Sequence, residues 1–171
     1  SNGTVNLSLA NGGTWRPVYE GTATDAIAAL NLNKGGIVDL TWDNPTRDPA
    51  GSKRTMNISS LTGDDGVLVV NTNLAKHVGD EFIVANNNAG SVGIDVAYDP
   101  ALAEAGLDND SYIMGKAKVL TIRGGSVTAP AVSGIADSYN DYDYTPSIKD
   151  NGDGTYSVTQ LTITNIVPTG P

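Results

Sequence analysis

A recurring unit, a short alternating strand followed by a glycine-containing turn, limits what this chain can fold into. The unit appears as VNLSLANGG (5–13), LNLNKGG (30–36) and VLTIRGG (119–125). By subtraction, successive strands begin 25, 26, 26 and 37 residues apart, at Val5, Leu30, Met56, Phe82 and Val119. The turn glycines that follow are Gly13, Gly36, Gly66, Gly90 and Gly125. A period in the twenties, built of strands without helices, predicts a solenoid.

Alternation of apolar and polar residues identifies the strands of each unit. Successive side chains of a strand point to opposite faces, so a period of two predicts strands that are buried on one face. One turn of such strands cannot bury its apolar side chains alone, whereas stacked turns form a continuous column. The sequence therefore predicts an all-β parallel β-helix of about five rungs. The residues expected to face its interior are Leu30, Leu32, Val38, Leu40, Met56, Ile58, Leu68, Val70, Ile83, Ile94, Val96, Leu120 and Ile122.

The C-terminal segment does not follow this repeat. It indicates two strands around a DNGDG turn (150–154), and it holds four of the seven tyrosines. The open end of a solenoid exposes core side chains and unpaired backbone, so we interpret the hairpin from Tyr139 to Ile163 as a cap. We expect β-helix rungs over 1–135 and a capping segment over 136–171. An insertion at about 99–118 stretches the last repeat, and Asp99 and Pro100 suit a helix N-cap and first turn there.

Composition excludes several classes of partner and site. Ten basic and nineteen acidic residues give a net charge of −9, which repels phosphate, so we expect neither nucleic acid nor anionic lipid as a partner. The chain has no cysteine, which excludes disulfides, thiolate metal sites and cysteine nucleophiles. No apolar run approaches the roughly 20 residues that a membrane helix needs, so we do not expect a membrane-embedded protein.

Several motifs occur in the order found in one family of secreted proteins. Trp15 precedes an apolar strand with a Gly-Gly turn, and an L-x-G-x-x-G corner follows at Leu61, Gly63 and Gly66. A later segment has an aspartate, two apolar residues, a valine and an A-G corner, at Asp80, Phe82, Ile83, Val84, Ala89 and Gly90. Over about residues 13–160 the chain resembles the C-terminal part of the pertactin-like passenger domain of bacterial autotransporters (type V secretion).

The resemblance implies a right-handed parallel β-helix that ends in the autochaperone segment, which helps the passenger fold as it emerges from the outer-membrane pore. It also implies a cell-surface location and a partner, the protein's own outer-membrane β-barrel, which this sequence lacks. The insertion at about 99–118 departs from the family pattern. We expect the chain to be a fragment of a longer protein.

Candidate catalytic residues are few. His77 is the only histidine, and we expect it at a solvated corner. Asp39 and Asp43 lie four residues apart, which on a strand places both on one face, as in the carboxylate pairs of polysaccharide-cleaving enzymes. We favour a solvated outer face for both, with Trp42 packed under a loop rather than stacked on a sugar. We therefore assign no catalytic and no cofactor-binding residue.

Acidic turns offer candidate calcium ligands. The segments DNDS (108–111), DYDY (141–144) and DNGDG (150–154) supply hard oxygen atoms. None has the spacing of an EF-hand loop, because the third and fifth positions counted from Asp150 are Gly152 and Gly154. We therefore predict turns and no bound metal.

These observations favour a non-catalytic stem and folding core of a surface-exposed autotransporter passenger. One alternative is an adhesin module that binds a host or bacterial surface ligand, or a second copy of itself, directly. Another is a polysaccharide-active β-helix enzyme. An immunoglobulin-like sandwich is an alternative fold, and it would require antiparallel hairpins every 8 to 12 residues.

Overall fold

The computed structural model describes residues 5–19, 24–104 and 106–164, and its elements are almost all strands. The ends of both predicted segments, 1–4 and 165–171, lie outside the described residues, as do 20–23 and 105. The strands are β1 (Asn6–Leu9), β2 (Thr14–Trp15), β3 (Thr24–Leu32), β4 (Ile37–Asp39), β5 (Thr55–Thr62), β6 (Gly66–Asn73), β7 (Val78–Gly79), β8 (Glu81–Asn87), β9 (Ser91–Tyr98), β10 (Tyr112–Ile122), β11 (Ala131–Gly134), β12 (Asp137–Tyr139), β13 (Tyr142–Asp150) and β14 (Thr155–Thr164).

Two sheets of stacked parallel strands form the body of the molecule. One has the order β1-β3-β5-β8-β10-β14-β13-β12, and the other has the order β11-β9-β6-β4-β2. Pairing is parallel from β1 to β10 in the first sheet and throughout this order in the second. The fold is a β-solenoid of about three turns, and the turns β3–β4, β5–β6 and β8–β9 have parallel neighbours on both sides. This pairing excludes the immunoglobulin-like sandwich, whose sheets are antiparallel.

The apolar column forms because equivalent residues of successive turns are in register. Met56 pairs with Phe82, and Phe82 pairs with Leu120. All three side chains are fully buried and belong to one hydrophobic cluster that runs through the molecule. Fully burying a side chain of this kind stabilises the fold by about 1.5–3 kcal/mol.

One residue that was predicted to face the interior, Ile83, does not. Ile83 is only half-buried, whereas its neighbours Phe82 and Val84 are both fully buried. The segment EFIVA has four consecutive apolar residues, 82–85, so alternation alone does not say which of them face inward. The register with Met56 does, and it turns Ile83 to the outer face. The other twelve predicted interior residues are buried.

The recurring turn glycine has a steric cause. A Cβ atom on Gly36 would lie 2.6 Å from the carbonyl oxygen of Leu9, at the corner of the preceding turn. Gly125 has a φ of 97°, and a Cβ atom there would overlap the backbone of Asn87, again one turn earlier. The corners approach each other too closely for a side chain, which places glycine at this point of the repeat.

The C-terminal segment contains the predicted hairpin and, in addition, the strand β12, which pairs antiparallel with β13. β13 and β14 pair antiparallel around the turn at 151–154, and β14 also pairs antiparallel with β10. Its buried side chains join the same hydrophobic cluster as the solenoid; they are Tyr144, Tyr156, Val158, Leu161 and Ile163. The hairpin is therefore packed on the column rather than attached by a flexible connection.

The segment predicted as an insertion is partly built into the fold. Asp99 is the N-cap of a short 3₁₀ helix, Pro100–Ala103, and its carboxylate accepts a hydrogen bond from the Ala101 amide at 3.0 Å. Leu102 is buried in the core. β10 already begins at Tyr112, so residues 112–118 form a strand against β14 rather than a loop. Among the described residues, no helix has the length and apolar character to cross a membrane.

Candidate functional site

The junction between the solenoid and the hairpin brings together polar groups that the sequence did not connect. After β11, the chain continues beside β9, with the Ile135 amide bonded to the Ile94 carbonyl at 2.8 Å. Further along, the ring of Tyr139 lies 5.7 Å from the ring of Tyr98. Asp137 lies between these two contacts, opposite Asp95 of β9.

Asp95 and Asp137 form an acid pair at this junction. The Asp95 side chain faces Asp137, and its Oδ1 atom is buried with no other hydrogen-bond partner. Two carboxyl groups so close favour a state in which one of them carries a proton. Burial, followed by the hydrogen bond to Asp137 and the negative charges of Asp137 and Asp39, raises the pKa of Asp95 to about 9. The raised pKa favours the protonated form of Asp95 at neutral pH, and a protonated Asp95 can donate a hydrogen bond to Asp137.

Tyr144 of the hairpin makes a second polar connection to the same strand. Its ring is fully buried, and its hydroxyl donates to the carbonyl oxygens of Val96 and Ala97, the latter at 3.0 Å. Burial, and then the negative charges of Asp137 and Asp95, raise the pKa of this hydroxyl. The hydroxyl therefore stays protonated and keeps donating across the physiological range.

A row of four tyrosines extends from this point toward the surface. The rings of Tyr98, Tyr139, Tyr142 and Tyr144 follow one another with centroid distances of 5.7, 5.9 and 6.5 Å. The Tyr142 hydroxyl donates to the Leu102 carbonyl at 2.5 Å. Tilted aromatic pairs contribute about 0.5–1.5 kcal/mol each beyond the area they bury. The row joins β9, the 3₁₀ helix and the hairpin.

A buried ion pair fixes the long corner between β4 and β5. Arg47 contacts Asp80 through two hydrogen bonds of 2.7 and 2.8 Å, and their side chains are 4% and 0% exposed. Asp80 also accepts from the backbone amides of Arg54 and Asn71, each at 2.9 Å. This aspartate, which opens the D-x-F-I-V motif, thus binds the backbone of two segments and the guanidinium of a third. Its carboxylate has no free acceptor for a substrate.

The carboxylate pair proposed from sequence does not form. β4 ends at Asp39, and the Asp39 carboxylate accepts from the amide and hydroxyl of Thr41, both at 2.7 Å. Asp43 lies beyond the strand and forms a bidentate ion pair with Arg54 at 2.5 Å. The hydrogen bonds from Arg54 lower the pKa of Asp43. The prediction that these residues share a strand face was wrong because the chain turns after Asp39.

His77 and Trp42 lie at the surface. His77 is exposed in a turn, with a φ of 57°. Trp42 is 41% exposed and donates its indole N–H to the Pro17 carbonyl at 3.0 Å. The indole bonds to the β2–β3 connection, but no loop covers the ring, so the expectation that Trp42 is packed under a loop was wrong.

Two of the three acidic segments form turns, whereas the prediction was wrong for DYDY (141–144), because Tyr142, Asp143 and Tyr144 belong to strand β13. Asp150 accepts from the Gly152 amide, and Asp153 accepts from the amide and hydroxyl of Thr155. In the DNDS segment, Asp108 and Ser111 bond to each other. Within residues 5–19, 24–104 and 106–164, no group of three or more His, Cys, Asp or Glu side chains has an arrangement that could hold a metal ion.

An open cleft lies on the outer face of the sheet where β10 meets β14. Its volume is about 350 Å³, and its walls include His77, Lys116, Lys118 and Asp153. Asn151, Thr155 and Ser157 complete the lining, and the Asn151 amide donates to both hydroxyls, at 3.0 and 2.9 Å. Every residue that lines the cleft is of a polar or charged type, and two of them are lysines, in a chain of net negative charge.

No protein-family model and no curated protein matches the chain. The autotransporter resemblance therefore rests on the motifs in the sequence, and the fold is compatible with it through the parallel solenoid.

Proposed function

We propose that the chain is the non-catalytic stem and folding core of a surface-exposed autotransporter passenger. In this proposal, about five rungs of a right-handed parallel β-helix are capped by the β13–β14 hairpin. The protein's own outer-membrane β-barrel, which lies outside this sequence, anchors it at the cell surface.

The observation that carries the proposal is the continuous core between the solenoid and the hairpin. Phe82, Leu120 and Leu161 belong to one buried cluster, and β14 pairs with β10, the final strand of the parallel series in its sheet. A solenoid is stabilised by interfaces between neighbouring turns, and its terminal turn needs a cover. In this proposal the hairpin supplies the cover, and Tyr144 adds a hydrogen bond to β9.

Refolding kinetics test the folding-core role. Leu161→Ala removes a fully buried side chain of the hairpin, and Ile27→Ala removes one from an early turn. Each is expected to cost about 2–5 kcal/mol at equilibrium, which is enough for a reliable φ-value. If the hairpin forms first, Leu161→Ala slows refolding, whereas Ile27→Ala mainly speeds unfolding.

A matched control in the hairpin is Thr162→Ala, which changes a half-buried neighbour of Leu161 and should leave both rates nearly unchanged. A φ-value near zero for Leu161 together with a high value for Ile27 would contradict the proposal.

The organisation of the gene tests the cellular part of the proposal. The full-length gene should encode a signal peptide upstream. Downstream it should encode alternating segments of about ten residues, as barrel strands have.

A further inference from the structure

Three lysines, Lys116, Lys118 and Lys149, lie on the outer face of the β10–β14–β13 region. Along β10, the side chains of Tyr112, Met114, Lys116 and Lys118 all face outward and are exposed. Lys118 is in register with Ser157 of β14, and Ser157 is in register with Lys149 of β13. Residues in register on neighbouring strands share a face, so the three lysines project from the same side of the sheet.

The spacing of these lysines follows from strand geometry. Lys116 and Lys118 are two residues apart on one strand, about 7 Å, and Lys118 and Lys149 are separated by two strand spacings, about 10 Å. Lys118 lies 3.7 Å from Glu81. Lys116 and Lys149 form no ion pair with any described residue. Two of the three ammonium groups are thus free to bind a ligand.

The polar cleft adds neutral hydrogen-bonding groups to this charged face. Thr155 and Asn151, both half-buried, contribute a hydroxyl and an amide to its lining, and His77 forms part of its wall. The Ser157 hydroxyl is fully buried and bonded to Asn151, so it supports the lining from behind. The exposed ring of Tyr112 lies farther along the same strand. This face suits an extended ligand with widely spaced negative charges. It offers lysines separated by about 7–10 Å, hydroxyl and amide groups, and an open aromatic ring.

We propose that this face, the Lys116–Lys118–Lys149 face, binds a segment of an acidic polysaccharide that carries carboxylate groups. The lysines would pair with the carboxylates, and the hydroxyl and amide groups of the cleft would bond to sugar hydroxyls. Asp153 in the cleft wall and Glu81 beside Lys118 limit the positive potential. A densely charged polymer such as nucleic acid is therefore disfavoured, all the more so because the chain as a whole carries a charge of −9.

Calorimetric titration of the whole chain with a hexamer of galacturonic acid tests the proposal, with a neutral glucose hexamer and hexaglutamate as comparison ligands. Binding of the galacturonate hexamer alone, weakened by added salt, is expected. Lys116→Gln and Lys149→Gln should each weaken it about five-fold, as expected for an exposed ion pair at the upper end of its range. Lys34→Gln removes an exposed lysine at a distant corner and should have no effect.

Three results would overturn the proposal. They are absence of binding to the galacturonate hexamer, equal binding of hexaglutamate, and equal weakening by the Lys34 variant. The proposal does not depend on the stem function. The refolding test above uses buried residues, whereas these substitutions are on the surface, so the two can fail separately.

Discussion

Replacing Asp95 by asparagine should remove most of the pH dependence of stability between pH 5 and pH 8. In the folded protein, burial and Asp137 raise the pKa of Asp95 to about 9, whereas an exposed aspartate titrates near 3.9. Folding therefore takes up a proton. The stabilisation from this proton is fully present below the pKa of Asp95 in the unfolded chain. It is lost as the pH rises from that pKa toward the higher pKa of Asp95 in the folded protein. An asparagine at position 95 stays neutral, keeps a donor for Asp137 and has no proton to lose.

The size of the effect follows from one shared proton. Each pH unit in this window changes the free energy of unfolding by at most about 1.4 kcal/mol, so three units give up to about 4 kcal/mol. For a domain of this size that corresponds to a fall in melting temperature on the order of 10 °C. Burial also raises the pKa of Asp99, which acts in the same direction. The pKa values of Asp43 and Asp153 are lowered, so these residues act in more acidic solution.

Thermal unfolding followed by circular dichroism at pH 5, 6, 7 and 8 measures this dependence. The parent chain and a control, Asp141→Asn, which removes one exposed charge, should both lose stability as the pH rises. Asp95→Asn should give a nearly flat profile and should be the most stable of the three at pH 8. If Asp95→Asn retains the slope of the parent, the acid pair does not hold a proton and the reasoning is refuted.

Three further predictions concern the ion pair, the corners and metal. Asp80→Asn leaves Arg47 buried without its anion and should cost about 3–5 kcal/mol in the urea unfolding free energy; an effect below 1 kcal/mol would contradict the structural role. Gly125→Ala should cost about 1–3 kcal/mol more than Gly152→Ala. Both glycines have positive φ, but only at Gly125 does a Cβ meet the backbone of a neighbouring turn, so equal costs would count against that steric account. Chelation by EDTA should leave the melting temperature unchanged, because the acidic segments bond to their own turns; a drop that calcium reverses would disprove this.

The solenoid was predictable because its determinants are local and repeated. Alternation locates the strands, and the recurring glycine marks where two corners approach too closely for a side chain, as at Gly36. The hairpin could also be predicted, because it has a DNGDG turn and because its sequence departs from the repeat of the preceding strands. Ile83 was placed on the wrong face because it lies in a run of four apolar residues, where alternation does not show which side chains point inward. Only the pairing of Phe82 with Met56 shows this.

The polar junction was not predictable in the same way. Asp95 stands in the alternating segment GIDVAYD, where an outward aspartate is ordinary. Its burial depends on a chain that returns beside β9 about forty residues later, and no local pattern encodes that approach. The lysine face was missed for a related reason. The net charge of the chain does not show where the charges lie, whereas the strand pairing in the structure places Lys118 and Lys149 on one side of the sheet. The environments of Asp95 and Lys118 thus depend on residues that are distant in sequence, Asp137 and Lys149.

The register of the strands also bears on the order in which the chain can assemble. By subtraction, Asp150 and Tyr156 pair across six residues, whereas Met56 and Phe82 pair across 26 and Phe82 and Leu120 across 38. Closing a 26-residue loop rather than a six-residue one costs about 1.3 kcal/mol more in chain entropy, since the cost grows as three-halves RT times the logarithm of length. The hairpin is thus the lowest-entropy place to begin. Every turn added to it then closes a loop of similar length, so assembly from the C-terminal end meets a series of comparable small steps instead of one large one.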